Sequence, residues 1–292
     1  MNGKISIVTI NYNASGETID FLNALKEQTE KSFDVILVDN GSSKVDLDAL
    51  NVWLEKTYIP GLSVLKNGEN SGFSGGCNIG IKKALENGSE WVVLLNNDTL
   101  PDSRFIVDLR AVLKGKEGLI GIPMDEGLRI AFCGKIGWLK PTLNHTHEVP
   151  KKLARYYVIG GGVAIHRSVF DEIGFLDESY FLYFEDADFS IRATRAKLPI
   201  SIAKEIKVRH LVSVSTKKLG SPSLFRYHYR NALYFNRKLG PWWIKILLWP
   251  WSWQIILKQS FKIVIRKDLE YSKSILNGVL DFYRNKMGKI QN

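Results

Sequence analysis

The first hundred residues alternate short apolar runs with stretches of helical period, and most of the runs end in a cluster of polar side chains. Residues 5–10, 35–39, 63–66 and 91–95 read as strands, being brief, led by Val, Ile and Leu, and bounded by turn-forming residues. Between them, 18–28 sets Ile19, Leu22 and Leu25 on one helical face, 47–58 repeats that spacing, and 78–85 follows a glycine-rich turn. Val92-Val93-Leu94-Leu95 leaves no polar side, so a strand here must be covered on both faces. Such strands joined through helices predict an α/β fold with a mixed, mainly parallel sheet and flanking helices. In sheets of this kind, ligands bind beyond the carboxyl ends of the strands. Those ends are Thr9-Ile10-Asn11-Tyr12-Asn13, Asp39-Asn40-Gly41-Ser42-Ser43 and Asn96-Asn97-Asp98, so three polar tips are expected to meet in one crevice.

Beyond residue 100 the alternation weakens. Gly160-Gly161-Gly162 precedes a strand-like 163–165, and 168–173 reads as a helix with Val169, Phe170 and Ile173 facing inward. From about Pro222 the chain turns aromatic and basic, and five of its eight tryptophans lie between Trp242 and Trp253. From Arg226 to Asn292 there are 13 Lys and Arg against 3 Asp and Glu, which accounts for the whole net charge of +10. We therefore expect one unit over 1–221 and a helical, basic, aromatic segment over 222–292. Charge segregated in this way points to an anionic surface, membrane or nucleic acid, as the partner of the tail. Cys77 and Cys133 lack metal-ligand spacing, which argues against a disulfide framework or a zinc site and fits a reducing compartment. The amino terminus enters the first apolar run directly, without the tripartite pattern of a signal peptide. At 292 residues and 45% hydrophobic, the chain can bury a core large enough for an enzyme.

Five groups of residues carry chemistry, each with two readings. Asn96-Asn97-Asp98 is either a turn after a strand or a ligand cluster. In the second reading Asp98 binds Mg²⁺ or Mn²⁺ between the phosphates of a nucleotide leaving group, with Asn96 a weaker neutral partner. Asp39 either caps the turn at Gly41-Ser42-Ser43 or accepts from the N3–H of uracil or thymine, a donor that cytosine lacks. Asn70-Ser71-Gly72-Phe73-Ser74-Gly75-Gly76-Cys77-Asn78 has neither a Walker ending nor dinucleotide spacing. It is either a structural loop or a place where backbone N–H groups approach an anion or a sugar. Glu185, Asp186 and Asp188 form either a solvated acidic face or, with Tyr180, Phe181, Tyr183, Phe184 and Phe189 around them, partly desolvated carboxyl groups of raised pKa. Asp186 is then the candidate general base, with Glu185 orienting it or holding an acceptor hydroxyl. His210 closes the strand-like Val208-Arg209-His210 and is either structural or a ligand.

In this order and at these spacings, Val8-Thr9-Ile10-Asn11-Tyr12-Asn13, Val38-Asp39-Asn40-Gly41-Ser42, the 70–78 loop, Leu95-Asn96-Asn97-Asp98, Phe184-Glu185-Asp186 and His210 resemble glycosyltransferase family 2. These are inverting enzymes of the Rossmann-like GT-A fold, and the likeness is greatest to the bacterial rhamnosyltransferase-like branch. It covers about residues 1–240. The resemblance implies a nucleotide-sugar-binding half over 1–100 and an acceptor-binding half over 101–221. It implies a donor pocket of Thr9, Asn11, Asp39, Ser71, Gly72, Asn78, Asn96 and Asn97, a Mg²⁺ or Mn²⁺ site at Asp98 and His210, and Asp186 as the base beside Glu185. It departs from the family at Asn96, where the metal motif often begins with Asp. The implied reaction moves a sugar, rhamnose from dTDP-rhamnose before a UDP-linked hexose, to a lipid-linked or polysaccharide acceptor in cell-surface glycan biosynthesis.

Two rivals are weaker. A nucleotidyltransferase needs a glycine-rich basic loop near the first strand, and this chain has none there. A nucleic-acid-binding protein needs a recognisable module beside its basic tail, and no such module accompanies it, so nucleic acid is not an expected partner. Pro250, Lys245, Lys258 and Lys262 interrupt the apolar tail, which favours an interfacial helix over a spanning one, the other alternative being a buried helical hairpin. Tryptophan prefers the headgroup level. The expected location is peripheral, on the cytoplasmic face of the cell membrane, with Arg226, Arg230 and Arg237 as candidate contacts to acceptor phosphates. The sequence is silent on oligomeric state.

Overall fold

The computed structural model describes residues 3–211 and 221–290. Strands β1 (Ile5–Asn11), β2 (Asp34–Asn40), β3 (Leu62–Asn67) and β4 (Trp91–Leu95) run parallel, as the apolar runs predict. With β6 (Leu119–Gly121), β12 (Gly162–His166) and β13 (Ile200–Ile202) they form a seven-stranded sheet in the order β13-β6-β12-β4-β1-β2-β3. Side-chain alternation sends Ile5, Ile7, Val35, Leu37, Val93 and Leu95 to one face. There they pack under α1 (Ser15–Lys26), α2 (Lys44–Glu55) and α4 (Phe105–Leu113). Val8, Ile36, Val38, Val92 and Leu94 take the other face, beneath α3 (Gly72–Glu86), α5 (Arg167–Ile173) and α6 (Glu185–Arg195). Both faces are therefore dry, which is why β4 has no polar residue.

Two features of the topology build a site. The chain reverses direction across the sheet after β3, leaving β1 flanked by β2 and β4, and the crevice at such a switch point opens over the strand ends. A second sheet then crosses that opening. In it β5 (Thr99–Leu100), which starts directly after Asp98, pairs antiparallel with β14 (Val208–His210), setting His210 opposite Thr99. The strands β7 (Met124–Asp125) and β8 (Ile130–Ala131) complete this sheet, and β9 (Cys133–Lys135), β10 (Asn144–Thr146) and β11 (Tyr156–Tyr157) make a third. These two- and three-residue strands carry too little pattern to be read from sequence.

The tail folds as α7 (Ser221–Leu239), α8 (Trp242–Val264) and α9 (Leu269–Tyr283). Ala232, Phe235 and Leu239 of α7 share a core with Tyr157, Tyr180, Phe184 and Ala187, so α7 is packed into the body that carries the acidic run. Leu248 and Ile255 of α8 meet Ile275, Val279 and Phe282 of α9. The opposite side of α8 stays exposed, so the helical hairpin buries only one side of this helix. Among the described residues, no helix is long and apolar enough to cross a membrane.

An ionic knot fastens α7 to α6. Asp188, wholly buried, holds Arg192 Nε at 2.6 Å and Lys238 Nζ at 2.7 Å and accepts from the Tyr180 hydroxyl, while Lys238 also reaches Asp177 at 2.6 Å. Removing one partner of a buried ionic group strands the others. Asp188→Asn is thus expected to lower unfolding free energy by about 3 kcal/mol in urea titrations, and a loss below about 1 kcal/mol would show that the knot contributes little.

Candidate active site

A cleft of about 180 Å³ lies over the carboxyl ends of β1 and β4. Its frame is a buried polar network. Asn11 donates through Nδ2 to Asp39 Oδ1 (3.0 Å), Ser42 Oγ (3.0 Å) and Asp46 Oδ2 (2.9 Å). Its Oδ1 accepts from Thr18 Oγ1 at 2.8 Å, and Thr18 in turn accepts from Asn97 Nδ2 at 2.8 Å. Asn11 and Asp39 are buried and engaged with each other, so the structure places these two expected donor ligands behind the wall of the cleft. Thr9, Gly72, Asn96, Asn97 and Asp98 do line it. Among the described residues, Thr9 Oγ1 is buried without a hydrogen-bond partner.

The glycine-rich segment is half scaffold. Asn78 donates to the Leu176 carbonyl (2.9 Å) and to Glu178 (2.8 Å) and accepts from Leu176 N, pinning α3 to a loop 98 residues away in sequence. Ser71 Oγ is committed to Asn40 and Asn67. These contacts occupy both side chains, which the sequence put in the donor pocket. Gly72 has φ +78, and a Cβ there would fall 2.3 Å from the Phe181 carbonyl oxygen, so no other residue lets this backbone approach the loop so closely.

Asp98 and His210 come together through the β5–β14 pairing, with His210 Nε2 3.4 Å from Asp98 Oδ1. Among the described residues, that oxygen and both ring nitrogens of His210 are buried without a hydrogen-bond partner. Burial pulls the imidazole pKa down, but the Asp98 carboxylate, helped by Glu126, leaves it above its ordinary value. A carboxylate oxygen and an imidazole nitrogen left bare in this way suit a divalent cation. Among the described residues no group of three or more His, Cys, Asp or Glu side chains gathers to hold a metal ion.

Asp186 stands at the first turn of α6. Its carboxylate accepts from Gly160 N (3.2 Å) and Ala187 N (2.7 Å), and Gly160 lines the cleft. A smaller cavity behind it, lined by Phe73, Leu94, Gly160, Glu185 and Asp186, adjoins the cleft through the first three. Burial raises the Asp186 pKa, with the Gly160 and Ala187 N–H groups and the charge of His145 opposing the rise. Glu185 is more deeply buried, its Oε2 lacks a partner, and burial together with neighbouring Asp186 raises its pKa well above the usual range. Neither Gly160 nor His145 was given a chemical role by the sequence, although both act on the Asp186 carboxylate. A carboxylate needing N–H donors was the signal that could have directed attention to Gly160. Asn40 was also passed over, although its Nδ2 donates to the Gly72 carbonyl at 2.9 Å and so shapes the glycine turn.

The three tail arginines are occupied. Arg226 pairs with Asp281 at 2.7 Å, Arg230 is buried on the carbonyls of Lys286 and Gly288, and Arg237 lies over the Tyr234 and Phe282 rings. Their expected role as phosphate contacts finds no free guanidinium in Arg230.

The sequence profile described as glycosyl transferase family 2 matches residues 6–174. The dTDP-rhamnosyl transferase RfbF of Shigella flexneri is 26% identical, over 82% of this chain and 81% of its own length. The N-acetylglucosaminyl-diphospho-decaprenol L-rhamnosyltransferase of Mycobacterium tuberculosis is 23% identical, over 94% and 96%. Among solved structures, the mannosyltransferase PcManGT from Pyrobaculum calidifontis, in complex with GDP-Man and Mn²⁺, shares the fold with a TM-score of 0.57 and 12% identity, over 98% of this chain and 88% of that one.

Mn²⁺ binding in the presence of a nucleoside diphosphate, followed by calorimetry, should weaken in Asp98→Ala and in His210→Ala by at least the roughly 10- to 100-fold that loss of an outer partner costs a metal site. Because the bound imidazole must be neutral, affinity should also fall as pH drops through the raised His210 pKa. Unchanged affinity in both variants would place the cation elsewhere.

Proposed function

The chain belongs to glycosyl transferase family 2, and from that premise we propose that it is an inverting, metal-dependent hexosyltransferase carrying rhamnose from dTDP-rhamnose to a hydroxyl of a lipid-linked saccharide. The observation that carries this reading is the pair of unsatisfied side chains Thr9 and Asp98 lining one cleft, with His210 against Asp98 and a carboxylate of raised pKa held at the Gly160 wall. The donor preference is supported by the rhamnosyl specificity in the names of two relatives, and the acceptor class by the diphospho-decaprenol in one of them. Donor screening with dTDP-rhamnose against UDP-linked hexoses decides the sugar.

Asp186 takes the proton of the acceptor hydroxyl. The acceptor oxygen attacks the anomeric carbon from the side opposite the nucleotide diphosphate, the bond to the diphosphate breaks, and configuration inverts. Thr9, Asn96, Asn97 and the backbone at Gly72 hold the donor, with Asn11 and Asp39 fixing the wall behind it. Asp98 and His210 would hold a divalent cation, which when bound would supply positive charge to offset that of the departing diphosphate. Everything else the protein contributes is positioning and base catalysis.

The exposed side of α8 supports action at a membrane. Trp242, Ile246, Trp249, Trp253, Leu257 and Phe261 recur at helical spacing opposite the buried Ile244, Leu248, Ser252, Ile255 and Gln259, and each is between 46% and 74% exposed. Lys245 and Lys258 flank the stripe. An apolar stripe with aromatic rings and bordering cations suits the headgroup region of an anionic leaflet. Attachment there at the cytoplasmic face would bring the cleft to a lipid-borne acceptor.

Asp186→Asn should cut turnover by roughly 10²- to 10⁴-fold with donor affinity retained. In the wild type, the base works ionised, so the rate should fall as pH drops through a limb lying above the ordinary Asp range. Full turnover in the variant would remove Asp186 from the mechanism. The protein should sediment with phosphatidylglycerol vesicles at low salt, and Trp249→Ser combined with Trp253→Ser and Leu257→Ser should leave it in the supernatant. Sedimentation that ignores these changes would exclude the α8 stripe as the contact.

A further inference from the structure

Tyr183 and Phe184 both adopt left-handed backbone, with φ of 70° and 77°, directly before Glu185 and Asp186 open α6. L side chains resist this conformation, and two in succession persist only where the surroundings impose them. The restraint comes from α7. Asn231 Nδ2 donates to the carbonyls of Leu182 (2.8 Å) and Tyr183 (3.2 Å) from a wholly buried position. Its Oδ1 accepts from Arg230 Nε at 3.1 Å, and Arg230 donates onward to the carbonyls of Lys286 (3.2 Å) and Gly288 (2.7 Å). Gly288 N closes the ring by donating to the Ser179 carbonyl at 3.0 Å, at the start of the same loop. From the cleft side, Phe73 N donates to the Phe181 carbonyl (2.8 Å) and Ser74 Oγ to that of Tyr180 (2.7 Å).

The loop 179–184 is therefore stapled between the glycine-rich start of α3 and the C-terminal helices. We propose that Asn231 is a positioning residue: by holding the Leu182 and Tyr183 carbonyls it fixes the Tyr183–Phe184 turn and so aims Asp186 at the cleft. The C-terminal unit is then part of the catalytic apparatus as well as an anchor. The inference rests on the reading of Asp186 as the base. Asp186 lies two residues beyond the turn, and relaxation of Phe184 to negative φ would swing the first turn of α6 away from Gly160.

Asn231→Asp keeps the shape and the acceptor for Arg230 while removing both N–H donations, and Asn231→Ala removes the whole group. Each should lower kcat by roughly 10- to 100-fold, the effect of a small misplacement of a reacting group. The KM for the nucleotide sugar should change less than kcat, since Thr9, Asn96 and Asn97 lie on β1 and directly after β4, away from the loop that Asn231 holds. Tyr183→Gly, free to take positive φ, should restore part of kcat in the Asn231→Asp background. A purely structural role would not give that rescue. Hydrogen exchange gives a readout independent of turnover: amides of 181–187 should exchange faster in the Asn231 variants while those of 76–86 keep their protection. Wild-type kcat in both variants, unchanged exchange at 181–187, or a fall in kcat matched by loss of donor affinity would overturn the proposal. If the wild type transfers no sugar from any donor, the transferase reading fails by itself, and the exchange result alone decides whether Asn231 holds the turn.

Discussion

Asn11 ends β1 with a side chain that is wholly buried, its amide shared among Asp39, Ser42 and Asp46 and its oxygen taken by Thr18. A polar network placed where water cannot reach is costly unless its members find partners, and a satisfied one admits few other arrangements. Through Thr18 and Asn97 the network extends from the tip of β1 to the tip of β4, so the separation of the two strand ends across the switch point is set by hydrogen bonds. Thr9, two residues before Asn11, is left bare in the same region. The boundary between satisfied and unsatisfied polar atoms separates the frame from the surface that meets the ligand.

A second constraint is long-range. His210 reaches Asp98 only after the chain has built the rest of the sheet and returned as β14 against β5. The pairing involves only two residues of each strand, which cannot hold a loop of that length closed by themselves. Packing of Val208 and Ile206 into the core beside Met124 supplies the remaining stability. Asp186 likewise depends on distant parts of the chain: Gly160 from before β12, the loop at Phe181, and α7 behind it. The site therefore draws on residues from β1 through α7.

The parallel core was legible because its signal is local. Unbroken apolar runs such as Val92 to Leu95, separated by helical periods, permit little besides a sheet covered on both faces. Strand ends were legible for the same reason, and the Asp98, Thr9 and Asn97 positions followed from them. Which polar residue faces the cleft and which braces the wall was not legible. Asn11 and Thr9 are equally polar, and only partners such as Asp39, Asp46 and Thr18, brought in by folding, separate their roles. The bracing contacts of Asn78 were hidden for a similar reason, since its partners lie near residue 176. The acidic run was found by its aromatic neighbours, yet its helix was not, because the strained turn that starts α6 is imposed from α7.

Glu185 and Asp186 are adjacent carboxyl groups in a dry setting, where two negative charges are far more costly than one. Burial raises both, so the pair retains a proton to a higher pH than either would alone in water. Its location follows from the hydrogen bonds. Asp186 accepts two backbone N–H groups, each of which stabilises charge on its oxygens, whereas Glu185 Oε2 has none. Negative charge is therefore better supported on Asp186, beside Gly160, than on Glu185. On this account the N–H of Gly160 selects which of two neighbouring acids acts as the base, and a side chain in α7 keeps that acid within its reach.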